Sequence, residues 1–487
     1  MKKVLIANRG EIALRIMRTC RELGLQTVAV YSTADASAPY VLFADERCCL
    51  GPPPALESYL HFDRIFEAVH RSGADALHPG YGFLSENPLL PQLCEEHHIT
   101  FIGPSVESMK ILGGKIASKK NAIAHGVPVV PGETEPISSL EHATQVAKKI
   151  GYPILIKAVF GGGGKGMRTV YSEENLEKSL QEARSEAKSS FKNEQVFIEK
   201  WIQQPRHIEF QIFSDKHGNH IYLGERECSI QRRHQKLIEE TPSVALDPEL
   251  RMRMGKTAAT VARSANYLGA GTVEFLLDAD KNFYFLEMNT RLQVEHPVTE
   301  MVLGMDLVAE QIRVAQGLPL SRKQEDIAPR GWAIECRICA EEPETFIPSS
   351  GTIHALREPS GPFVRVDSGI RALQEISSYY DSLLSKLIVW GENREKAIQR
   401  MRRALKDYYI VGVQTNIPFH LRMLEHPRFL KGDISIHFIQ EEQAYLTTPS
   451  QKHENLAHIL TAALEMERQQ SMIPQYPHVS RWNSPHF

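Results

Sequence analysis

The sequence predicts a chain of mixed α/β and α+β class, divided into about three domains. Three observations carry this. Short apolar strands alternate with amphipathic helices from Lys3 onward, the pattern of a parallel sheet covered by helices. Two apolar-rich strands, Val273 to Leu277 and Phe283 to Asn289, flank a turn-like Asp278 to Asn282, which reads as an antiparallel hairpin. The composition shifts at Gly113-Gly114-Lys115 and again at Pro329-Arg330-Gly331, dividing the 487 residues into units of ordinary domain size.

Lys3 to Ala7 is a short apolar strand. Glu11 to Leu23 sets Ile12, Ile16 and Cys20 on one helical face, with Ala13 and Met17 beside them, and Gly24 closes it. Thr27 to Tyr31 is the next strand. The turn Asn8-Arg9-Gly10-Glu11 lies where doubly wound folds carry nucleotide loops, but it lacks Gly-x-Gly-x-x-Gly, so a structural turn is expected. His78-Pro79-Gly80-Tyr81-Gly82-Phe83 is a Gly/Pro turn with two aromatics of exposed type, which either just reverses the chain or lines a site at the sheet's carboxyl edge. Pro128 to Pro136 is a connector. A second αβ region runs to about Gln203, and a mixed region to about Gln316. Gly331 to Cys339 reads as a strand, so Cys336 and Cys339 face opposite sides and cannot share a metal. From about Tyr445 the chain is polar and Pro-rich, a tail with a helical patch near Leu456 to Met466.

A formal charge of -3 gives no global basic field, so no nucleic-acid partner is expected; runs such as Arg232-Arg233-His234 and Arg402-Arg403 read as solvated faces or an anion pocket. No window approaches the ~20 apolar residues of a membrane span. The run Val4 to Ala7 is too short for a signal-peptide core, and a cytoplasmic location is the expectation. Seven cysteines, an odd number in a long chain, argue against a disulfide framework.

Three stretches carry chemistry. Ile154 to Lys157 leads into Gly161-Gly162-Gly163-Gly164-Lys165-Gly166. Consecutive glycines expose backbone N–H groups to an anion and the lysines add point charge. Lys165 is followed by Gly166 rather than Ser or Thr, so this is not a P-loop; a mobile flap over phosphates fits better. In the hairpin, pairing Asp278 with Phe283 sets Glu274 opposite Glu287. Facing carboxylates destabilise a sheet unless a cation lies between them, and oxygen ligands suit Mg²⁺ or Mn²⁺. If the chain stays extended to Glu295, one face carries Glu287, Asn289, Arg291, Gln293 and Glu295, the floor of a polar cleft. It would supply metal ligands first, then an anion-binding Arg, then a general base. The third stretch, Glu225 to Lys236, is dense in hydrogen-bonding groups that suit oxyanions or ribose hydroxyls, or an exposed loop. His207 is ambiguous by itself.

Together, Asn8 to Ala13, His78 to Gly82, Gly161 to Met167, Pro205-Arg206-His207, Gln231 to Lys236, Glu287 to Arg291 and Gln293-Val294-Glu295-His296-Pro297-Val298-Thr299-Glu300 occur in an order that resembles biotin carboxylase, the ATP-grasp component of biotin-dependent carboxylases. The resemblance covers about residues 1–445. It implies a pre-ATP-grasp (Rossmann-like) domain at 1–113, an ATP-grasp domain at 114–330 with a mobile lid at about 131–203, a biotin carboxylase C-terminal domain at 331–446 and a tail at 447–487.

The same resemblance implies roles. Lys115, Lys157 and the flap glycines Gly162, Gly163 and Gly164 would hold ATP phosphates. Glu199, Lys200 and the Ile202 backbone would hold adenine, with His207, Gln231 and His234 nearby. Glu274, Glu287 and Asn289 would bind two Mg²⁺ or Mn²⁺ ions. Lys236, Arg291, Gln293 and the Val294 backbone would hold bicarbonate, Glu295 would be its base, and Arg337 and Tyr81 would meet biotin. Phe160, Gly114 and Cys339 depart from the family's usual residues, and none of them removes a proposed catalytic group. There is no Ala-Met-Lys-Met biotin-attachment motif and no room for a carboxyltransferase. The expected partners are therefore a biotin carboxyl carrier protein and carboxyltransferase subunits, with acetyl-CoA as the default final acceptor and pyruvate, another acyl-CoA or a urea-like substrate as the alternatives. Arg18, Glu22 and Arg365 match positions used at a family homodimer interface. The competing readings are another ATP-grasp ligase and a nucleotide-binding subunit without catalysis. The second should have lost the base or the metal ligands.

Overall fold

The computed structural model describes residues 1–159, 167–447 and Met466. The flap glycines Gly162, Gly163 and Gly164, Phe160, and all of the expected tail except Thr447 and Met466 lie outside the described residues.

The N-terminal unit is built on a five-stranded parallel sheet of β1 (Lys3–Ile6), β2 (Gln26–Ser32), β3 (Glu46–Gly51), β4 (Ala76–His78) and β5 (Thr100–Phe101), in the order β3-β2-β1-β4-β5. Val4, Leu5 and Ile6 are wholly buried, as expected of a central parallel strand covered on both faces. The helix Gly10–Glu22 buries Ile12, Ala13, Ile16, Met17 and Cys20, the stripe the sequence predicts. The strand order reverses between β1 and β4, and crevices at such switch points take ligands in open α/β sheets. The turns after these two strands meet there: Asn8 Nδ2 donates to the carbonyls of Pro79 (2.7 Å) and Tyr81 (2.8 Å). The Asn8 turn is thus structural, as expected. Tyr81 and Phe83 are half-buried rather than exposed, because this crevice is roofed by later parts of the chain.

A small antiparallel sheet follows, β6 (Ile154–Ala158) between β7 (Arg168–Val170) and β8 (Val196–Lys200). Its apolar face packs on the helices Leu140–Ile150 and Leu176–Phe191 around Ile154, Ile156, Val196 and Ile198. This separate core lies within the expected lid segment.

The remaining strands are β9 (Arg206–Ser214), β10 (His220–Arg232), β11 (Gln235–Thr241), β12 (Gly269–Leu277), β13 (Phe283–Asn289), β14 (Trp332–Cys339), β15 (Gly351–Thr352), β16 (Ala355–Arg357), β17 (Val364–Ser368), β18 (Glu375–Ile376), β19 (Leu383–Gly391) and β20 (Tyr409–Val411). Eight of them form one sheet, β13-β12-β9-β10-β11-β14-β19-β17, with β15 paired to β18 and β16 to β20 outside it. Glu225 to Arg232 is therefore not an exposed loop. It is buried strand, and only the turn at Arg233 and His234, both with positive φ, leaves the sheet. The buried Arg226 side chain is satisfied by Glu209, Gln211, Thr272 and Thr299, which is what a wholly buried guanidinium requires.

The expected hairpin register is corrected. Leu277, not Asp278, pairs with Phe283, and Phe275 with Phe285. Leu286 is then an extra residue on β13, a bulge that shifts the register by one, and beyond it Glu274 does face Glu287. The aromatic core around Phe210, Phe275, Phe283 and Phe285 fixes the first register, and the bulge delivers the second. The extended run to Glu295 is also corrected: β13 ends at Asn289, and the chain bends through Thr290 to Val294 before the helix His296–Leu303.

All seven cysteines are free. Among the described residues no helix is long and apolar enough to cross a membrane.

Candidate active site

A cleft of about 1330 Å³ opens between the switch-point turns, the small sheet and the eight-stranded sheet. The predicted residues Tyr81, Lys115, Lys157, Glu199, Lys200, Ile202, His207, Gln231, His234, Lys236, Glu274, Glu287, Asn289, Arg291, Gln293, Val294 and Arg337 all line it. Among the described predictions Glu295 is the exception. It is wholly buried immediately behind Lys236 and Arg337, at the start of the helix His296–Leu303.

At one end of the cleft, Glu199 of β8 receives Lys157 of β6 and Lys119 of the helix Lys115–Ala124, each at 2.7 Å. Burial would raise the Glu199 carboxyl, but the two ammonium groups outweigh it and hold it below its usual value. The sequence reading missed Lys119, although it lies one helical turn from Lys115 on the same face. Lys115 is also held below its usual value, its ammonium disfavoured by burial and only partly supported by Glu287. Polyphosphate would add anionic charge beside this group.

In the centre, Glu274 and Glu287 face each other. Burial and then the neighbouring Glu274 push the Glu287 carboxyl up. Glu274 is held well below the carboxylate range because Lys236 and His207 together outweigh its burial; His207 Nε2 lies 3.2 Å from it. Asn289 donates to Glu274 at 2.9 Å and accepts from Arg291 at 3.1 Å. A divalent cation between Glu274 and Glu287 would relieve this pair, so the donor set fits Mg²⁺ or Mn²⁺. Nearby, His207, Glu209 and Glu274 converge, as do Glu209, Cys228 and Glu295. There the protein supplies its own cation, since the Lys236 ammonium bonds Glu209, Glu274 (2.9 Å) and Glu295 (2.7 Å). Burial would depress this lysine; the three carboxylates push it well above its ordinary value.

Towards the C-terminal strands, Arg337 of β14 bridges Glu239 of β11 (2.6 Å) and Glu295 (2.9 Å). Burial alone would raise Glu295, yet Lys236, Arg337 and Arg226 hold it well below the usual range, ionised. Glu239 is pushed up to about 7, first by burial and then by Glu295, against the pull of Arg337. Arg291 is oriented by Glu86 (2.9 Å), Gln293 (3.0 Å) and Asn289. Glu86 and Glu239 lie far in sequence from the groups they hold, and no local pattern marks them.

The cleft thus runs from a lysine-rich end at Lys115, Lys119 and Lys157, past the facing Glu274 and Glu287, through a lysine-bridged carboxylate cluster to the Arg291 and Arg337 guanidinium groups. Comparison with known proteins divides the chain into three matched segments. Family models match residues 1–109 (biotin carboxylase, N-terminal domain), 114–323 (carbamoyl-phosphate synthase L chain, ATP binding domain) and 335–441 (biotin carboxylase C-terminal domain). The chain is 53% identical over 440 residues to a biotin carboxylase of Nostoc sp., covering 90% of this chain and 98% of that protein. It is also 53% identical over 440 residues to a subunit of the pyruvate carboxylase of Methanothermobacter thermautotrophicus, covering 90% and 89%. Among solved structures, the biotin carboxylase domain dimer of Hydrogenobacter thermophilus 2-oxoglutarate carboxylase, in complex with MgADP, ADP and bicarbonate, superposes with a TM-score of 0.87 at 46% identity, covering 92% of this chain and 99% of that one. The chain therefore belongs to the biotin carboxylase family of ATP-dependent ligases.

Proposed function

We propose that the protein uses ATP and bicarbonate to carboxylate biotin carried on a separate carrier protein, as the first half-reaction of acetyl-CoA carboxylase. The observation that carries this reading is the Lys236–Glu295–Arg337 array set beside the Glu274–Glu287 pair. An ATP-grasp ligase acting on a carboxylate has no need of Arg337 or of a buried base bracketed by two cations.

In this reading Lys115, Lys157 and the flap glycines hold the phosphates. Glu199, Lys200, Ile202, His207, Gln231 and His234 surround the adenine and ribose. Glu274, Glu287 and Asn289 hold two Mg²⁺ or Mn²⁺ ions, which neutralise the charge on the β- and γ-phosphates. Lys236, Arg291, Gln293 and the Val294 backbone fix bicarbonate. Glu295 takes the bicarbonate proton, and the bicarbonate oxygen attacks the γ-phosphorus as the bond to ADP breaks. The resulting carboxyphosphate releases CO₂ and phosphate beside biotin. Phosphate takes the N1 proton, Arg337 stabilises the enolate, Tyr81 contacts the ring, and N1 attacks CO₂.

The depressed Glu295 carboxyl is a weak base while both cations press on it. Lys236 and Arg337 are also the groups assigned to bicarbonate and biotin. As they turn to those ligands they release Glu295, so its basicity rises when both substrates are present.

The carboxyltransferase partner chooses the final acceptor. Acetyl-CoA is the proposed one, and the equal identity to a pyruvate carboxylase component keeps pyruvate as the second reading. The test is ADP release by the purified chain. It should require bicarbonate and be stimulated by free biotin or a biotinylated carrier, whereas bicarbonate-independent turnover would overturn the assignment. Co-purifying transferase subunits discriminate the acceptors.

A further inference from the structure

Lys386, on β19, is wholly buried. A buried ammonium is tolerated only where its charge and hydrogen bonds are met, and the groups that meet this one come from three distant parts of the chain. Its Nζ donates to the Val294 carbonyl at 2.9 Å. It is 3.2 Å from Glu11 Oε2, in the first turn of the helix Gly10–Glu22. Asp367 of β17, itself gripped by Arg365, lies 3.9 Å away. The Tyr81 ring centroid is 5.8 Å from the ammonium, and the Tyr81 hydroxyl donates to Glu11 Oε1.

The Val294 carbonyl belongs to the peptide that leads directly into Glu295. One ammonium therefore grips the backbone of the proposed base and, through Glu11, the hydroxyl of the proposed biotin contact. A lysine needed only for packing could have met any two carboxylates. This one instead joins the peptide before Glu295 to Glu11, which holds the Tyr81 hydroxyl, and Glu11, Tyr81 and Val294 all line the cleft.

We propose that Lys386 and Glu11 are positioning residues for the biotin half of the reaction, tying the Tyr81 hydroxyl to the peptide that precedes Glu295. The inference rests on the roles proposed above for Tyr81 and Glu295. It adds that the biotin wall is set through Glu11, whereas the bicarbonate side is set by Lys386 directly.

The test compares Glu11→Gln, Tyr81→Phe, the double variant and Lys386→Met in the full chain, with free biotin as the probe. Glu11→Gln should raise the KM for biotin by about tenfold, the loss expected of one charge-assisted hydrogen bond. It should leave kcat and the KM for bicarbonate of the biotin-free ATP hydrolysis within about twofold. The double variant should be no worse than Tyr81→Phe alone, as expected of two residues acting through one link. Lys386→Met should raise the KM for both biotin and bicarbonate. Independent, multiplying effects of Glu11→Gln and Tyr81→Phe would overturn the proposal, as would a fall in kcat with both KM values unchanged. If Lys386→Met does not fold, the Glu11 and Tyr81 cycle decides alone. Failure of the unmodified chain to show biotin-stimulated turnover is a distinct result, and would overturn the proposed function itself.

Discussion

The carboxylates Glu209, Glu274 and Glu295 all converge on Lys236. They are buried, and two of the three have wholly buried side chains, so their ionisation depends on that one ammonium and on its guanidinium neighbours. Glu295→Gln keeps the shape and removes the proton acceptor. It should lower bicarbonate-dependent ADP release by about 10²- to 10⁴-fold, the usual contribution of a general base, while the KM for ATP stays near that of the unmodified chain. Glu287→Gln should raise the magnesium concentration needed for half-maximal activity by about 10- to 100-fold, read from metal titrations of ADP release. Most of the site was legible at this scale. Glu274, Glu287, Asn289, Arg291 and Gln293 stand out in the sequence without any fold, and all of them line the cleft. What could not be read were the groups that hold them. Glu86, Glu239 and Lys386 reach the cleft through contacts made across 205, 98 and 92 residues of sequence, and an isolated Glu or Lys on a strand carries no signal of its partner.

The elements show where local pattern gives way to packing. The hairpin of β12 and β13 pairs Glu274 with Glu287 as alternation suggests, but through a register slip and a compensating bulge at Leu286. A bulge leaves no mark in apolar periodicity. The polar run beyond Asn289 has strand alternation, yet Pro297 pre-sets the first turn of the helix His296–Leu303, and the chain bends to meet it. Further along, the helix Ile417–Glu425 carries His420, wholly buried, with Nε2–H donating to the Arg337 carbonyl at 2.8 Å. Burial lowers this imidazole from 6.5 to about 4. The unfolded chain takes up this proton near pH 6.5, whereas the native chain refuses it until about pH 4. Stability from the neutral imidazole is therefore full above 6.5 and is lost as the pH falls towards 4. His420→Gln keeps an amide donor and removes the titration. Its thermal midpoint should lie below that of the parent at about pH 7, and the gap should narrow as the pH is lowered, by at most about 1.4 kcal/mol per pH unit.

At the scale of the molecule, a second, smaller cavity lies against the later part of the helix His296–Leu303, at Glu300 and Met301. It is lined by Arg15, Arg18, Thr19, Glu22 and Arg365, among others. Arg365 and Arg15 both reach Glu300 on that helix, at 2.7 and 2.8 Å. Arg18 and Glu22 are exposed beside them. If this face mediates the proposed homodimer, Arg18→Glu combined with Glu22→Arg should shift the mass at micromolar concentration from dimer to monomer; a monomeric parent would remove the premise.

The eight-stranded sheet does not respect the composition break near residue 330. Ile238 to Thr241 of β11 pair with Ala333 to Cys336 of β14, so the nucleotide half and the C-terminal half share one hydrogen-bonded ladder. Severing the gene at that break would leave β11 as a raw edge with unsatisfied peptide groups, the surface through which sheets stick to one another. Fragments made apart should precipitate, and fragments made together should recover by re-forming the seam. For inheritance, the consequence is that a crossover between relatives falling between β9 and β19 has to match side chains from two parents within one ladder. Glu295, the Glu274–Glu287 pair and Arg337 all fall within that stretch.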